Sequence, residues 1–349
     1  MDMKPIYGLT RAEIAELCVS LGEPSYRATQ LWRWLHVNRV GGWESMTNVS
    51  AAFRAKLAGT FLFSSIKAES RSKSADTSMK VLARLHDGEA VELVVIPAPR
   101  RMTVCVSCQV GCKFDCAFCA SGRSGFTRNL EAGEIVEEVL LAGKECGEKP
   151  THVVFMGIGE PFDNYDNVLK TIRIINDQEG LAIGARRITI STCGIIPGIQ
   201  KLAGEGIQVE LSVSLHAPND AVRSGLMPVN RRYPVGDLLD ACREYAQQTG
   251  RLITFEYAMI RGVNDSRAHA EELAARLKAF QCRVNLIPLS EVAEYAGKAS
   301  TTEACNMFIK VLSAAGVNAT LRNSRGGELN AACGQLRARR AEGREESGA

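Results

Sequence analysis

Apolar and polar positions along the chain fall into three regimes. Over residues 9–63 the apolar positions recur at helical spacing. Thr10, with Glu13 three positions on, has capping-box spacing, and the helix it opens presents Ile14, Leu17 and Cys18 on one face. A second helical stretch, residues 27–36, carries Leu31, Trp32, Trp34 and Leu35. Asn48 or Ser50 caps a third, with Phe53, Leu57 and Phe61. Trp32 and Trp34 cannot share one inward stripe, so one of them is expected at an interface between domains, with exposure for stacking as the alternative. Residues 64–77 are polar and serine-rich and are expected to form a linker or loop. Residues 79–85 and 90–96 then alternate around Asp87–Gly88, a hairpin signal that Pro97 and Pro99 end.

From Met102 onward short apolar runs alternate with amphipathic ones. Strands are predicted at 102–106, 151–160, 186–192, 207–216, 252–260, 282–289 and 317–323. Helices are predicted near 131–146, 164–177, 197–204, 235–248, 266–280 and 302–315. Apolar strands alternating with helices mean parallel β-structure covered on both faces. Six such units fit an open or partial (β/α)6 barrel better than a closed eightfold one. The expected class is therefore α/β, with a helical accessory domain (1–63), a linker and β-hairpin extension (64–101), the partial barrel (102–336) and a charged, disordered tail (337–349).

Composition narrows the class. The chain has 349 residues, 46% hydrophobic and 23% charged, with net charge +3, as in a globular protein with a sizeable core. That charge leaves a nucleic-acid partner open without requiring one. No apolar run approaches the ~18 residues of a membrane span, and the first residues lack a signal-peptide core, so no membrane partner and a cytoplasmic location are expected. Thiols stay reduced there, so dense cysteines point to a metal or to catalysis. Of the 12 cysteines, Cys105, Cys108, Cys112, Cys116 and Cys119 fall in one stretch. The others are scattered, as small core residues usually are.

In parallel α/β folds the chemistry sits at the carboxyl ends of the strands. The cysteine stretch follows the first barrel strand. The next ends hold Gly157, Gly159 and Glu160, then Ser191, Thr192 and Gly194, then Ser214 and His216, then Gly262, Asn264 and Asp265, then Ser290. A glycine-rich segment with Cys333 follows the last strand. Cys112, Cys116 and Cys119 are spaced C-x3-C-x2-C, with no second pair and no nearby histidine. Three soft ligands suit an iron–sulfur cluster with one iron open to a small molecule. Phe118 can pack on that molecule or shield the cluster. Structural zinc, with Cys105 or Cys108 as fourth ligand, is the plainer alternative.

That spacing at the start of a partial barrel resembles the radical S-adenosylmethionine (SAM) enzymes, and GIGE at 157–160 is similar to their Gly-Glu stretch. The likeness then sharpens. CVSCQVGCKFDCAFC (105–119), GFTRNL (125–130), FMGIGEP (155–161), ISTCGIIPGI (190–199), SLHAPND (214–220), GVND (262–265), VNLIPL (284–289) and AACGQL (331–336) stand in the order of the RlmN/Cfr family of RNA methyltransferases. YRATQLWRWLH and MTNVS extend the resemblance into the helical N-terminal unit, read as an accessory, RNA-binding-like domain.

The resemblance implies a 4Fe-4S cluster on Cys112, Cys116 and Cys119, and two SAM per turnover. It implies methylation of adenine carbon 2 in the peptidyl-transferase region of 23S rRNA and of an anticodon-adjacent tRNA adenosine. Cfr-type methylation at carbon 8 is the nearest alternative. Pro161 and the complete N-terminal unit favour the RlmN type. A non-catalytic zinc and RNA-binding protein is the alternative from another class. Cys333 matches the cysteine that carries the methyl group, and Cys105 the one that removes the ring proton and closes a transient disulfide with it. Glu92 matches a position marked as proton acceptor; on the residues alone it also fits the hairpin surface.

Gly159, Glu160, Ser191, Ser214, Leu215, His216 and Ser290 match SAM contacts. Ser290 stands where the family usually has asparagine, and Cys108 where serine is usual. The family also implies a reductant such as flavodoxin, and a monomer. Arg100, Arg101, Arg123, Arg128, Arg231 and Arg232 are candidates for phosphate contacts, which position RNA without specifying it.

Overall fold

The computed structural model describes residues 3–123, 125–322 and 326–337. Its centre is one ten-stranded sheet. The strands are β1 (Ile66–Lys73), β2 (Met79–Leu85), β3 (Ala90–Ala98), β4 (Arg101–Cys105), β5 (His152–Phe155), β6 (Ile188–Thr192), β7 (Glu210–Ser214), β8 (Ile253–Met259), β9 (Cys282–Pro288) and β10 (Asn318–Leu321). They lie side by side in strict chain order. β1 to β4 pair antiparallel, and β4 to β10 pair parallel.

Parallel neighbours need a crossover, and a helix supplies it each time. In the N-terminal unit, helices α1 (Arg11–Ser20), α2 (Tyr26–Trp32) and α3 (Ala51–Ala58) precede the sheet. In the barrel, α4 (Ala132–Cys146), α5 (Tyr165–Asn176), α6 (Ile196–Ala203), α7 (Asp220–Leu226), α8 (Val235–Thr249), α9 (Arg267–Leu277) and α10 (Thr302–Ala314) fill the crossovers. This is a partial parallel α/β barrel with an N-terminal helical unit, and the predicted six strand–helix units and last strand are all present. No helix among the described residues is long and apolar enough to cross a membrane.

The N-terminal unit keeps its sequence signals. Glu13 N–H donates to Thr10 Oγ1 at 3.3 Å, and Thr10 N–H donates to Glu13 Oε2 at 2.7 Å, completing the capping box. Ser50, not Asn48, caps α3, taking a hydrogen bond from Phe53 N–H at 3.3 Å. Asn48 instead accepts from the indole Nε1 of Trp34 at 2.6 Å. Trp32 is the tryptophan that goes inside, while Trp34 is half-buried.

The expected linker over 64–77 is a correction. Ile66–Lys73 is strand β1, antiparallel to β2, with a register shift between Ala68 and Ser70. Its polarity misled because it is an edge strand: Ile66 is buried and all five residues from Glu69 onward are exposed. Ahead of it, Ser64 and Ser65 anchor to α4. The Ser64 and Ser65 hydroxyls donate to Glu137 at 2.7 Å each, and Ser65 N–H adds a bond at 3.0 Å. Of the charged tail, Arg337 is described; the remaining positions, 338–349, lie outside the described residues.

Two glycines set how closely the N-terminal unit approaches the barrel. A Cβ on Gly133 of α4 would stand 2.6 Å from Pro5 Cβ and 2.8 Å from Gly8 N. Both backbones therefore meet where no side chain fits. Gly133→Ala is expected to destabilise the protein by about 1–3 kcal/mol, with proteolysis beginning in residues 3–62. An unchanged melting temperature for this variant would contradict the close-approach account.

Candidate active site

The cysteine loop is pinned at both ends. Gln109–Gly111 and Phe126–Asn129 form a small antiparallel ribbon that the sequence did not announce. Gly111 has φ +77, and a Cβ there would lie 1.8 Å from Gly125 O, so only glycine fits. Cys112 N–H donates to Gly125 O at 2.9 Å, and Ala117 N–H to Leu226 O at 2.9 Å. Cys112, Cys116 and Cys119 then line one pocket at the carboxyl ends of the strands, with Phe114 and Phe118 beside them.

Gly159, Glu160, Ser191, Ser214, His216 and Ser290 line the same pocket. Leu215 does not: it is fully buried, and its N–H donates to Glu256 O at 3.0 Å. Gly159 has φ +106, and a Cβ there would meet Gln109 Cβ at 2.6 Å. Glu160 is buried and accepts from Phe162 N–H at 3.0 Å and Cys193 N–H at 2.6 Å. Burial raises its pKa, and those backbone donors oppose the rise. A carboxylate has about four lone-pair sites, so capacity remains for a ligand ammonium.

His216 sits at φ +57, and its Nδ1 accepts from Ala258 N–H at 2.8 Å. That bond places the proton of the neutral ring on Nε2. Burial, with Arg223 nearby, lowers its pKa to about 3, so the ring stays neutral. Phe118 meets it edge-on with ring centroids 4.8 Å apart.

A second, larger pocket lies beneath the first. Side chains alternate along a strand, so every second residue faces the barrel lumen. Arg101, His152, Arg187, Glu210 and Arg283 line the pocket at the amino ends of their strands, and Thr103, Val154, Thr189, Ser212 and Asn285 follow two positions on, with Thr254 beside them on β8. Cys105, Met156, Glu256 and Ile287 lie at the top of this pocket. Cys333 lines both pockets, and so do Met156, Glu256, Ile287 and Arg322. Cys105 lines only the lower one and is free, like Cys333. Burial, then the Cys333 thiol, push Cys105 above the ordinary thiol range. Cys333 is solvent-exposed by area yet sits in a concavity, and the surrounding protein raises its thiol too. Both are neutral thiols at rest.

The loop carrying Cys333 is latched to the cysteine loop. Ala120 N–H donates to Gly334 O at 2.7 Å, and Ser121 Oγ to Leu336 O at 2.8 Å. Gly334, at φ +82, lies so close that a Cβ would stand 3.2 Å from Phe118 O. Glu92 is buried rather than on the hairpin surface, and lines neither pocket. Its carboxylate accepts from Arg337 N–H at 3.0 Å and pairs with Lys80 Nζ at 3.1 Å. Lys80 Nζ also donates to Asn330 O at 3.4 Å. Glu92 and Lys80 thus hold the Cys333 segment from the hairpin side.

Sequence reasoning missed two buried charges. Arg223 is fully buried and donates to Cys193 O at 2.7 Å, to Leu215 O and Ser214 O at 3.0 Å each, and to Asn230 Oδ1 at 3.0 Å. It ties together the ends of β6 and β7. Glu256 accepts from Ser212 Oγ at 3.2 Å and Asn285 Nδ2 at 3.0 Å on one oxygen, with Arg322 at 3.7 Å from the other. A glutamate at an alternate position of an apolar strand was the available signal.

The donor set fits an iron–sulfur cluster. Neither Cys105 nor Cys108, the expected fourth ligands of a structural zinc, lines the pocket of Cys112, Cys116 and Cys119, so that zinc arrangement is not assembled there. Among the described residues no three His, Cys, Asp or Glu side chains converge as ligands of a single ion. A cubane takes each thiolate at a separate iron and spaces them wider. Cys108 is buried beneath the loop.

A partial parallel barrel with such a loop at its first strand defines the radical SAM class. The radical SAM superfamily model matches residues 106–274, and the model for the ribosomal RNA large subunit methyltransferase N-terminal domain matches residues 5–62. A Bacillus cereus protein named probable dual-specificity RNA methyltransferase RlmN is 46% identical over 96% of this chain and 93% of its own length. A Geobacillus kaustophilus protein of the same name is 45% identical over 96% and 92%. The crystal structure of a radical SAM methyltransferase from Sphaerobacter thermophilus superposes with TM-score 0.93 at 46% identity, covering 96% of this chain and 99% of that one. The chain belongs to the RlmN family of radical SAM methyltransferases.

Glu92→Ala is expected to raise amide exchange across residues 330–337 at least about tenfold, which corresponds to ~1.4 kcal/mol. Lys80→Ala should give a smaller increase in the same segment. Unchanged exchange in both variants would show that the segment is held by other contacts.

Proposed function

We propose that this enzyme methylates carbon 2 of an adenine in 23S rRNA and of the anticodon-adjacent adenosine of tRNAs. The observation that carries this reading is the position of Cys333. It borders the pocket of the three cysteines on one side and the pocket of Cys105 on the other. A group carried on its sulfur can thus be loaded from one and delivered into the other. The names of the relatives support the RNA substrates.

When bound by Cys112, Cys116 and Cys119, a 4Fe-4S cluster supplies the electron that cleaves SAM to a 5′-deoxyadenosyl radical. The protein's own residues do the rest. Glu160 receives the SAM ammonium, and the neutral His216 offers Nε2–H as a donor. Ser191, Ser214 and Ser290 complete the polar wall, while Met156, Ile287 and Leu289 cover the apolar parts.

Cys333 first takes a methyl group from one SAM: its thiol proton leaves, a sulfur–carbon bond forms, and the sulfonium bond breaks. That S-methyl group on Cys333 would give up one hydrogen to the radical supplied from a second SAM, and the carbon radical left on the Cys333 sulfur would add to the ring. One electron would return from the adduct to the cluster, balancing the electron that cleaved SAM. Cys105, which must first lose its own proton, takes the ring proton. A Cys105 thiolate then attacks the Cys333 sulfur. The disulfide forms as the sulfur–carbon bond breaks, and the released carbon takes a proton to become the methyl group. A reductant such as flavodoxin supplies the first electron, and thiol exchange reopens the disulfide.

Cys105→Ala is expected to accumulate RNA covalently bound through Cys333, visible as a protein band of reduced mobility that ribonuclease removes. Cys333→Ala is expected to cleave SAM with added reductant yet transfer no methyl group to RNA. Methylated RNA from the Cys333 variant, measured by nucleoside mass spectrometry, would sink the carrier role. Lack of any crosslink in the Cys105 variant would sink the resolving role.

A further inference from the structure

The reading above leaves open how a base inside folded RNA reaches Cys333. A target base must be turned out of its stack and inserted into the protein. At the carboxyl ends of the strands, the cysteine loop and the Cys333 segment are hydrogen-bonded to each other across the site. Of the candidate arginines on that side, Arg123 and Arg128 are engaged, while Arg231 and Arg232 are exposed without a carboxylate partner among the described residues and line neither pocket. Arg123 pairs with Asp115 at 3.2 Å, and Arg128 pairs with Asp87 at 2.7 Å and Glu134 at 2.8 Å.

The amino ends of the strands differ. Arg101, Arg186, Arg187 and Arg283 line the lower pocket there and are exposed. None of these four guanidinium groups has a carboxylate partner among the described residues, although Arg101 Nε donates to Thr103 Oγ1 at 2.9 Å. Glu210, the carboxylate of that layer, is taken by Arg251. Like charges brought together without counter-charges are unfavourable unless an anion completes them. Above them the lumen is polar, with Thr103, Thr189, Ser212 and Asn285, and it ends at Cys105 and Cys333. From Arg101 to Cys105 the strand rises about 13 Å.

We propose that RNA approaches the amino-end mouth of the barrel, where Arg101, Arg186, Arg187 and Arg283 grip its phosphates while the flipped adenine rises through the polar lumen to Cys105 and Cys333. This rests on the RNA methyltransferase reading and adds the direction of approach. SAM occupies the upper pocket, so cofactor and base meet at Cys333 from opposite ends.

The test is binding of a tRNA anticodon stem-loop and a 23S rRNA hairpin across a salt series, for wild type, R186A/R187A, R101A/R283A and R187K. Melting temperature and SAM affinity establish that each variant is folded. Each double alanine variant should weaken RNA binding about tenfold at physiological salt and lower the slope of log K against log[salt] by about 1 per lost phosphate contact. R187K, which keeps the charge, should retain most of the slope. Unchanged affinity and slope in both double variants, with wild type binding RNA, would overturn the entrance alone. Wild-type protein that neither binds nor methylates either RNA would overturn the functional reading and the entrance with it.

Discussion

Two hydrogen bonds join the two ends of the barrel sequence. Ala120 N–H reaches Gly334 O, and Ser121 Oγ reaches Leu336 O, the latter across 215 positions of the chain. Without them the three cysteines and Cys333 belong to separate loops at opposite edges of the parallel strands. With them, Cys333 stands between the pocket of Cys112, Cys116 and Cys119 and the pocket of Cys105. Gly334 allows the contact, because a side chain there would press on the backbone of Phe118. The Glu92–Lys80 pair holds the same segment from behind. The antiparallel extension β1–β3 therefore serves the site as a support for its last loop.

The lining of the barrel changes character along the strands. The upper layer joins soft ligands, apolar walls and a few fixed polar groups, as small-molecule sites usually do. The lower layers are polar and then cationic, as a nucleic-acid contact requires. Buried charge holds the boundary between them. Arg223 fixes the backbone at the ends of β6 and β7 through carbonyl acceptors, and Glu256 faces both pockets. Burial raises the thiols of both Cys105 and Cys333.

Much of the architecture was legible in the sequence. Alternation of apolar strands and helices identified the partial barrel, Asp87–Gly88 located the hairpin, and the Thr10–Glu13 box opened α1 where expected. The cysteine spacing and the strand ends led to Cys112, Cys116, Cys119, Gly159, Glu160, Ser191, Ser214, His216 and Ser290, which line one pocket, whereas Cys105, Gly194, Leu215, Gly262, Asn264 and Asp265 do not line it. What escaped did so for physical reasons. β1 looked like a linker because an edge strand exposes most of its side chains. Glu92 looked like a surface residue because burial by a segment some 240 positions away leaves no local trace. The lumen was hidden because continuous apolar strands suggested a sheet covered on both faces. The polar residues at every second position, as in Thr189–Ser191, Ser212–Ser214 and Thr254–Glu256, were the sign of an interior channel.

The central claim is that the methyl carbon passes through Cys333 as an S-methyl group that gives up one hydrogen. The most direct measurement uses SAM carrying a CD3 methyl group and nucleoside mass spectrometry of the modified RNA. One deuterium is lost to the radical and one proton returns at release. The account therefore predicts 2-methyladenosine bearing two methyl deuteriums. A product that keeps all three would mean direct transfer from SAM and would contradict the account.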